Sequence, residues 1–257
     1  MLTHKVNTGF LFAAVICLTI YSFYGLLPWW VYIAPFVLWF IIAGWGSAFV
    51  QSGYHIKTFN SAKTADRKVA ITFDDGPTPY TEEVLRLLRQ YNIKATFFCI
   101  GRQIEKHPDI FQQVINEGHT VGNHTYTHWS RISLLSEEKF EEEVVLTDKA
   151  IEKYGEKKAL FFRPPYGVTN PNIAKALKAT GHKVIGWNIR SLDGRLKNEQ
   201  LIFNRIKTRL APGSIILLHD TSQKSVNVLE QLLILLQQQK YDAVTVDELL
   251  NIPAYEK

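Results

Sequence analysis

Five short stretches place groups capable of acid–base or metal chemistry at the ends of apolar runs. Thr72-Phe73-Asp74-Asp75-Gly76-Pro77 closes the first run with two adjacent carboxylates. Neighbouring side chains on an extended chain point apart, so one can hold a metal while the other moves a proton. His124 and His128 stand four residues apart. On a helical turn that spacing puts both imidazoles on one face. An Asp from another loop then completes a two-His, one-carboxylate set suited to Zn²⁺ or another divalent transition ion. Phe161-Phe162-Arg163-Pro164-Pro165-Tyr166-Gly167 offers a guanidinium for a bidentate grip on a carboxylate, and a free backbone N–H at Tyr166. Asp193 follows the apolar segment that begins at Trp187, and His219 ends the run Ile215-Ile216-Leu217-Leu218. An imidazole there suits a proton donor. Each stretch alone also reads as a turn, a cap or a rigid loop. Together they supply a metal triad, a base, an acid and an electrophilic backbone donor, which is what metal-assisted hydrolysis of an acyl group requires.

The elements that must position these groups alternate. Short apolar, β-prone runs are expected at 69–73, 95–100, 120–122, 160–163, 183–187, 214–219 and 243–246. Helical spacing fills the gaps at 80–90, 104–117, 136–154, 171–179, 200–210 and 226–239. Seven strands alternating with helices imply parallel βαβ units and an α/β fold, a barrel more than an open sheet. In such a barrel chemistry gathers at the C-terminal strand ends, where all five stretches fall. No Gly-x-Gly-x-x-Gly or Walker motif is present, which argues against a nucleotide site.

The charge distribution divides the chain. Of 257 residues, the 51 from Val6 to Ile56 contain no Asp, Glu, Lys or Arg. Two apolar stretches, Gly9–Leu27 and Trp29–Val50, flank Pro28 and are long enough to cross a bilayer. Residues 1–50 are therefore expected as a membrane segment of two transmembrane helices, 51–67 as a linker and 68–257 as the catalytic domain. A signal peptide is disfavoured because no small-x-small cleavage site follows the first stretch. Ile16 before Cys17 disfavours a lipoprotein. A hairpin puts both ends on one side, and both flanks are basic (Lys5; Lys57, Lys63, Arg67 and Lys68 against Asp66). The positive-inside rule then leans toward a cytoplasmic catalytic domain. With only Cys17 and Cys99, a disulfide framework or cysteine zinc site is excluded. Interspersed charges exclude a nucleic-acid footprint, and nothing implies a protein partner.

Residues 67 to about 250 resemble the polysaccharide deacetylase domain (NodB homology, carbohydrate esterase family 4). The resemblance rests on Thr-Phe-Asp-Asp-Gly-Pro, Asn-His-Thr-x-x-His, Arg-Pro-Pro-Tyr-Gly and Leu-Leu-His-Asp, in this order. It implies a distorted (β/α)7 barrel that removes N-acetyl groups from amino sugars with a divalent metal, Zn²⁺ foremost and Co²⁺, Ni²⁺ or Mn²⁺ as alternatives. Asp75, His124 and His128 would hold the metal. Asp74 would be the general base, oriented by Arg163. The Tyr166 N–H would share the oxyanion. His219 would protonate the leaving amine, with Asp193 keeping it charged. Pro165, Tyr166, Trp187 and Leu217 would line the substrate site.

One motif departs from the family's pattern. Where Trp…Asp-x-x-Asp-Trp is usual, this chain has Trp187, Arg190, Asp193 and Gly194, losing the first Asp and the second aromatic. The expected activity is deacetylation of a cell-wall or surface glycan by an enzyme that also contacts membrane lipid. A cytoplasmic domain would instead meet a lipid- or nucleotide-linked amino sugar, and a relic barrel would merely bind glycan.

Overall fold

Period-two alternation along one strand sets up both faces of the sheet. The computed structural model describes residues 2–256. Its elements in chain order are α1 (His4–Ser22), α2 (Ile33–Ala48), β1 (Thr58–Phe59), β2 (Lys68–Asp74), α3 (Pro79–Gln90), β3 (Thr96–Cys99), α4 (Gly101–Lys106), α5 (Pro108–Asn116), β4 (Thr120–Asn123), α6 (Glu137–Gly155), β5 (Phe161–Phe162), α7 (Pro171–Ala179), β6 (Lys183–Ile185), β7 (Ile189–Arg190), α8 (Glu199–Lys207), β8 (Ile215–His219), α9 (Gln223–Gln238), β9 (Asp242–Val244) and α10 (Val246–Leu250).

In β2, Val69, Ile71 and Phe73 pack with Leu85, Leu88, Leu229 and Leu232 of the covering helices. Ala70, on the opposite face, packs with Phe98, Phe162 and Leu217 in a second cluster. Thr72 and Asp74 share that inward face by the two-residue period. Burying each such Leu or Phe contributes about 1.5–3 kcal/mol, so the two clusters, on either side of the sheet, hold it in place.

All pairings are parallel, in the order β1-β6-β5-β4-β3-β2-β8-β7, with β9 also on β2. The sheet is a curled half-barrel of the expected α/β type. Its β6 and β7 are joined by only three residues, Gly186–Asn188. Among the described residues nine strands form where seven were expected. The additional pair, β1 and β7, are two residues each, too short to show a periodicity. The helix expected at 104–117 is broken into α4 and α5, because Pro108 drives His107 out of the helical region (φ −129°, ψ 56°).

Part of the expected 51–67 linker packs against the barrel. Val50 and Tyr54 are buried, and β1 adds to β6. Helices α1 and α2 expose apolar surface along their length, with Phe10, Phe12 and Phe40 all largely uncovered. Thr3 caps α1, which starts at His4, ahead of the expected 9–27 span. Asn7 Nδ2 donates to the Trp39 carbonyl (3.2 Å) and to Tyr54 Oη (2.7 Å), tying both helices to the body. Ser47 O accepts from Thr169 N (2.9 Å), which fixes the end of α2 beside the loop after β5.

Candidate active site

The strand ends bring eight predicted residues into one connected group. Asp74 is the last residue of β2 and is buried on the inward face. Arg163, after β5, is fully buried beneath it. Its Nη1 donates to Asp74 Oδ1 (2.7 Å) and Thr72 Oγ1 (2.7 Å), its Nε to Ile185 O (3.1 Å) and its Nη2 to Gly186 O (2.9 Å). A guanidinium is tolerable in this position only because every nitrogen is engaged and its charge is matched.

Asp75 leaves the strand with φ 77° and turns away from Asp74. Its Oδ1 lies 3.4 Å from His124 Nε2 and 3.4 Å from His128 Nε2. The His124 Nδ1 lies 2.7 Å from the Arg163 carbonyl. A carbonyl only accepts, so Nδ1 carries the proton and Nε2 presents its lone pair to the site. Burial, and then His124, lower His128 to about 4, leaving it neutral at pH 7. Burial opposes ionisation of Asp75, but the facing imidazoles of His124, His128 and His219 hold it well below the usual carboxylate range.

The ligand atoms of Asp75, His124 and His128 all lie within 4.8 Å of one another. Asp75 Oδ1 is buried without a hydrogen-bond partner in the protein. An ionised carboxylate oxygen facing two imidazole nitrogens is a donor set that lacks only a cation, so these residues fit a divalent transition ion.

His124 and His128 do not lie on a helical turn, as their spacing suggested. The segment is a loop with Thr125 at φ 67° and His128 at φ 48°. Glu143 of α6 holds it by accepting from the N–H groups of Tyr126 (3.0 Å) and Thr127 (2.7 Å) and from Thr127 Oγ1 (2.8 Å).

On the other side of Asp75, His219 ends β8 with its Nε2 3.9 Å from Asp75 Oδ2. His219 Nδ1 bonds Asp193 Oδ1 (2.7 Å). Asp193 is itself clamped by Ser191 Oγ, Ser225 Oγ and the His219 N–H, each at 2.8 Å. Burial works against a charged His219, but the bond and charge of Asp193, with Asp74 and Asp75, raise it to about 9.

Tyr166 sits at φ 61° and Gly167 at φ 75°. The left-handed region costs a non-glycine residue about 1–2 kcal/mol. A Cβ on Gly167 would stand 2.7 Å from the Trp187 ring, so this turn admits no side chain there. Gly167 and Val168 donate to the carbonyls of Pro164 (3.0 Å) and Pro165 (3.2 Å), leaving the Tyr166 N–H outside that pair. Tyr166 Oη stands 3.5 Å from His128 Nδ1. Pro165, Trp187 and Leu217 are buried around the group, Trp187 against the Arg163 guanidinium.

Asp220 was given no role from sequence, although it directly follows His219. It is completely buried, and its Oδ2 accepts from Thr81 Oγ1 (2.5 Å) while its carbonyl accepts from Thr78 Oγ1. A Cβ on Gly76 would collide with its carboxylate at 2.2 Å, so Asp220 and Gly76 together shape the turn that carries Asp75.

A peptidoglycan-N-acetylglucosamine deacetylase of Bacillus cereus is 40% identical over 192 residues, covering 72% of this chain and 89% of that protein. The chain belongs to the polysaccharide deacetylase family. The family profile, described as polysaccharide deacetylase, matches residues 61–185. That span includes Asp74, Asp75, His124, His128, Arg163 and Tyr166 but ends before Asp193 and His219, which the fold brings in from beyond it. A peptidoglycan-N-acetylmuramic acid deacetylase of Bacillus subtilis is 31% identical and covers 72% of this chain, which spans 39% of that longer protein. A crystal structure of a peptidoglycan N-acetylglucosamine deacetylase in complex with 4-naphthalen-1-yl-N-oxidanyl-benzamide superposes with a TM-score of 0.73 at 30% identity, covering 77% of this chain and 95% of that one. As a NodB-type deacetylase of carbohydrate esterase family 4, the chain is a hydrolase of non-peptide carbon–nitrogen bonds.

Proposed function

We propose that the chain is a membrane-anchored, metal-dependent deacetylase that removes N-acetyl groups from amino sugars of a cell-wall or surface polysaccharide. The observation that carries this reading is the flanking of Asp75, His124 and His128 by two opposed pairs, Asp74–Arg163 and His219–Asp193.

Asp75, His124 and His128 would hold a divalent ion, Zn²⁺ foremost with Co²⁺, Ni²⁺ or Mn²⁺ as alternatives. When bound, such a cation supplies Lewis acidity at the acetamide oxygen and acidifies a water. Asp74 takes the proton from the attacking water through Oδ2, the oxygen that Arg163 leaves free. The Tyr166 N–H donates to the acetamide oxygen as negative charge grows there, a contribution of about 3 kcal/mol. His219 gives the proton on Nε2 to the departing amine while Nδ1–H stays on Asp193. Base and acid thus act from opposite sides of one carbonyl. Pro165, Trp187 and Leu217 enclose the acetyl group.

Helices α1 and α2 act as a transmembrane hairpin. The helical segments His4–Ser22 and Trp29–Ala48 are apolar and long enough to cross, with mean hydropathy of 1.4 and 1.7. The basic flanks at Lys5 and Lys57–Lys68 favour a second reading of the substrate, a lipid- or nucleotide-linked amino sugar at the inner leaflet.

Acetate release from chitotetraose or purified peptidoglycan tests the activity. The wild-type chain should release acetate, and Asp74→Asn should not while keeping the same metal content. Equal release by both proteins would remove Asp74 from the mechanism.

A further inference from the structure

A cavity opens beside Tyr166 and Trp187. Its volume is about 370 Å³, within the range that holds a small ligand. Its lining joins three parts of the molecule: Tyr166 and Trp187 of the active site, Ala48 and Phe49 at the end of α2, and the arginines Arg190, Arg205 and Arg209. No Asp, Glu or Lys lines it.

The three guanidiniums lack partners. Among the described residues none has a carboxylate oxygen within 4.0 Å, whereas Arg89 and Arg163 each do. Arg205 uses only Nε, donating to the Arg190 carbonyl (2.7 Å), which fixes α8 against β7. Arg209 spends one nitrogen on the Arg205 carbonyl (3.2 Å). The Arg190 guanidinium lies 5.5 Å from the Trp187 ring centroid. Trp187 is buried, and its indole N–H has no acceptor in the protein. Three like charges are gathered in one hollow with unused donors and no carboxylate in its lining. Such an arrangement is complete only with an anion of more than one charge. Arginine forks match phosphoryl oxygens in geometry as well as charge.

We infer that Arg190, Arg205 and Arg209 form an anion subsite that takes the phosphoryl group of an N-acetylated amino sugar while its acetamide lies in the active site. This rests on the deacetylase reading above and narrows its substrate to a phosphoryl-linked sugar, a diphosphate being the best match to three cations. A nucleoside diphosphate and a polyprenyl diphosphate would both supply that group. The Ala48–Phe49 wall gives an apolar chain a path along α2.

Binding and turnover are measured on the full chain, metal-loaded, in detergent micelles. The probes are UDP-N-acetylglucosamine, a short-chain polyprenyl diphosphate N-acetylglucosamine and neutral chitotriose. Calorimetry should show the diphosphate sugar binding to wild type in a salt-dependent manner. R205Q/R209Q, altered at partly exposed positions, should bind it at least tenfold more weakly, and so should R190Q, which leaves the Arg205 bond to the backbone carbonyl of residue 190 in place. The ratio of kcat/KM for a diphosphate sugar over chitotriose should fall at least tenfold in that variant, and in R190Q. The arm with the higher wild-type ratio, nucleoside or polyprenyl, identifies the source of the diphosphate. A chain that deacetylates chitotriose yet binds neither diphosphate sugar, or binds them equally well as R205Q/R209Q, overturns the subsite alone. A chain that binds them through the arginines and releases acetate from no sugar upholds the subsite and overturns the deacetylase reading.

Discussion

Arg163 and Asp74 meet through a 2.7 Å bond from Nη1 to Oδ1 inside the barrel, and no nitrogen of that guanidinium is idle. The carbonyl of the same arginine accepts from His124 Nδ1. One residue therefore orients the base through its side chain and a metal ligand through its backbone.

This separation gives the first prediction. Arg163→Lys keeps the charge but cannot reproduce the four bonds, so kcat should fall about 100-fold, within the usual range for a general base. Metal content should not change, because the His124 contact is to backbone. Arg163→Ala leaves Asp74 buried and unpaired and should cost about 3–5 kcal/mol of stability. Metal analysis beside thermal unfolding checks both, and loss of metal from the Lys variant would contradict the account.

His219 supplies a pH prediction. Burial alone would lower it from 6.5, but Asp193, with Asp74 and Asp75, raises it to about 9. The folded state therefore favours the protonated ring. That stabilisation is complete below 6.5 and is lost as pH climbs through about 9. As His219 acts protonated, kcat/KM should decline on the alkaline side near the same value. Asp193→Asn should move that limb to lower pH by roughly 1–2 units. A pH–rate profile of wild type and variant decides, and coincident alkaline limbs would exclude His219 as the acid.

Asp220 gives a stability prediction of the same sign in a lower pH window. Burial, working against the Thr81 hydrogen bond, pushes its carboxyl from 3.8 up to about 7. The folded chain then keeps a proton that the unfolded chain releases. Its contribution is complete below 3.8 and erodes as pH rises to about 7. Asp220→Asn should flatten the dependence of thermal midpoint on pH across that window. A variant curve parallel to wild type would refute this.

Much of the site could be read from residue order because β2 alternates so strictly. Val69, Ile71 and Phe73 define the outer face, so Asp74 had to point inward and Asp75 to fall beyond the strand. The two-residue strands β1 and β7 were not legible, since a pair of residues has no period. The His124–His128 spacing pointed to a helical turn, but the loop's shape comes from Glu143, far away in sequence, and from left-handed backbone at Thr125 and His128. Asp220 directly follows His219 in the sequence, yet its partners Thr78 and Thr81 sit at the start of α3, and only the fold joins them.

The proposed hairpin predicts a topology. With Lys5 and Lys57 flanking a charge-free stretch, the second reading of the substrate places both ends of α1–α2 in the cytoplasm. A green fluorescent protein fused to the C-terminus should fluoresce, and alkaline phosphatase fused there should be inactive. The reverse pattern would place the catalytic domain outside, facing polymerised wall glycan.

The most direct test of metal-dependent deacetylation uses one protein and one substrate. Acetate release from chitotetraose is followed in the purified chain before chelation, after chelation and after Zn²⁺ or Co²⁺ is returned, alongside Asp75→Ala and His124→Ala. Activity should vanish with the metal and return with it, and both variants should lack metal and fall by about 1000-fold or more, consistent with loss of the Lewis acid. Release that persists at the same rate in the chelated protein, or in Asp75→Ala free of metal, would contradict the account at its centre.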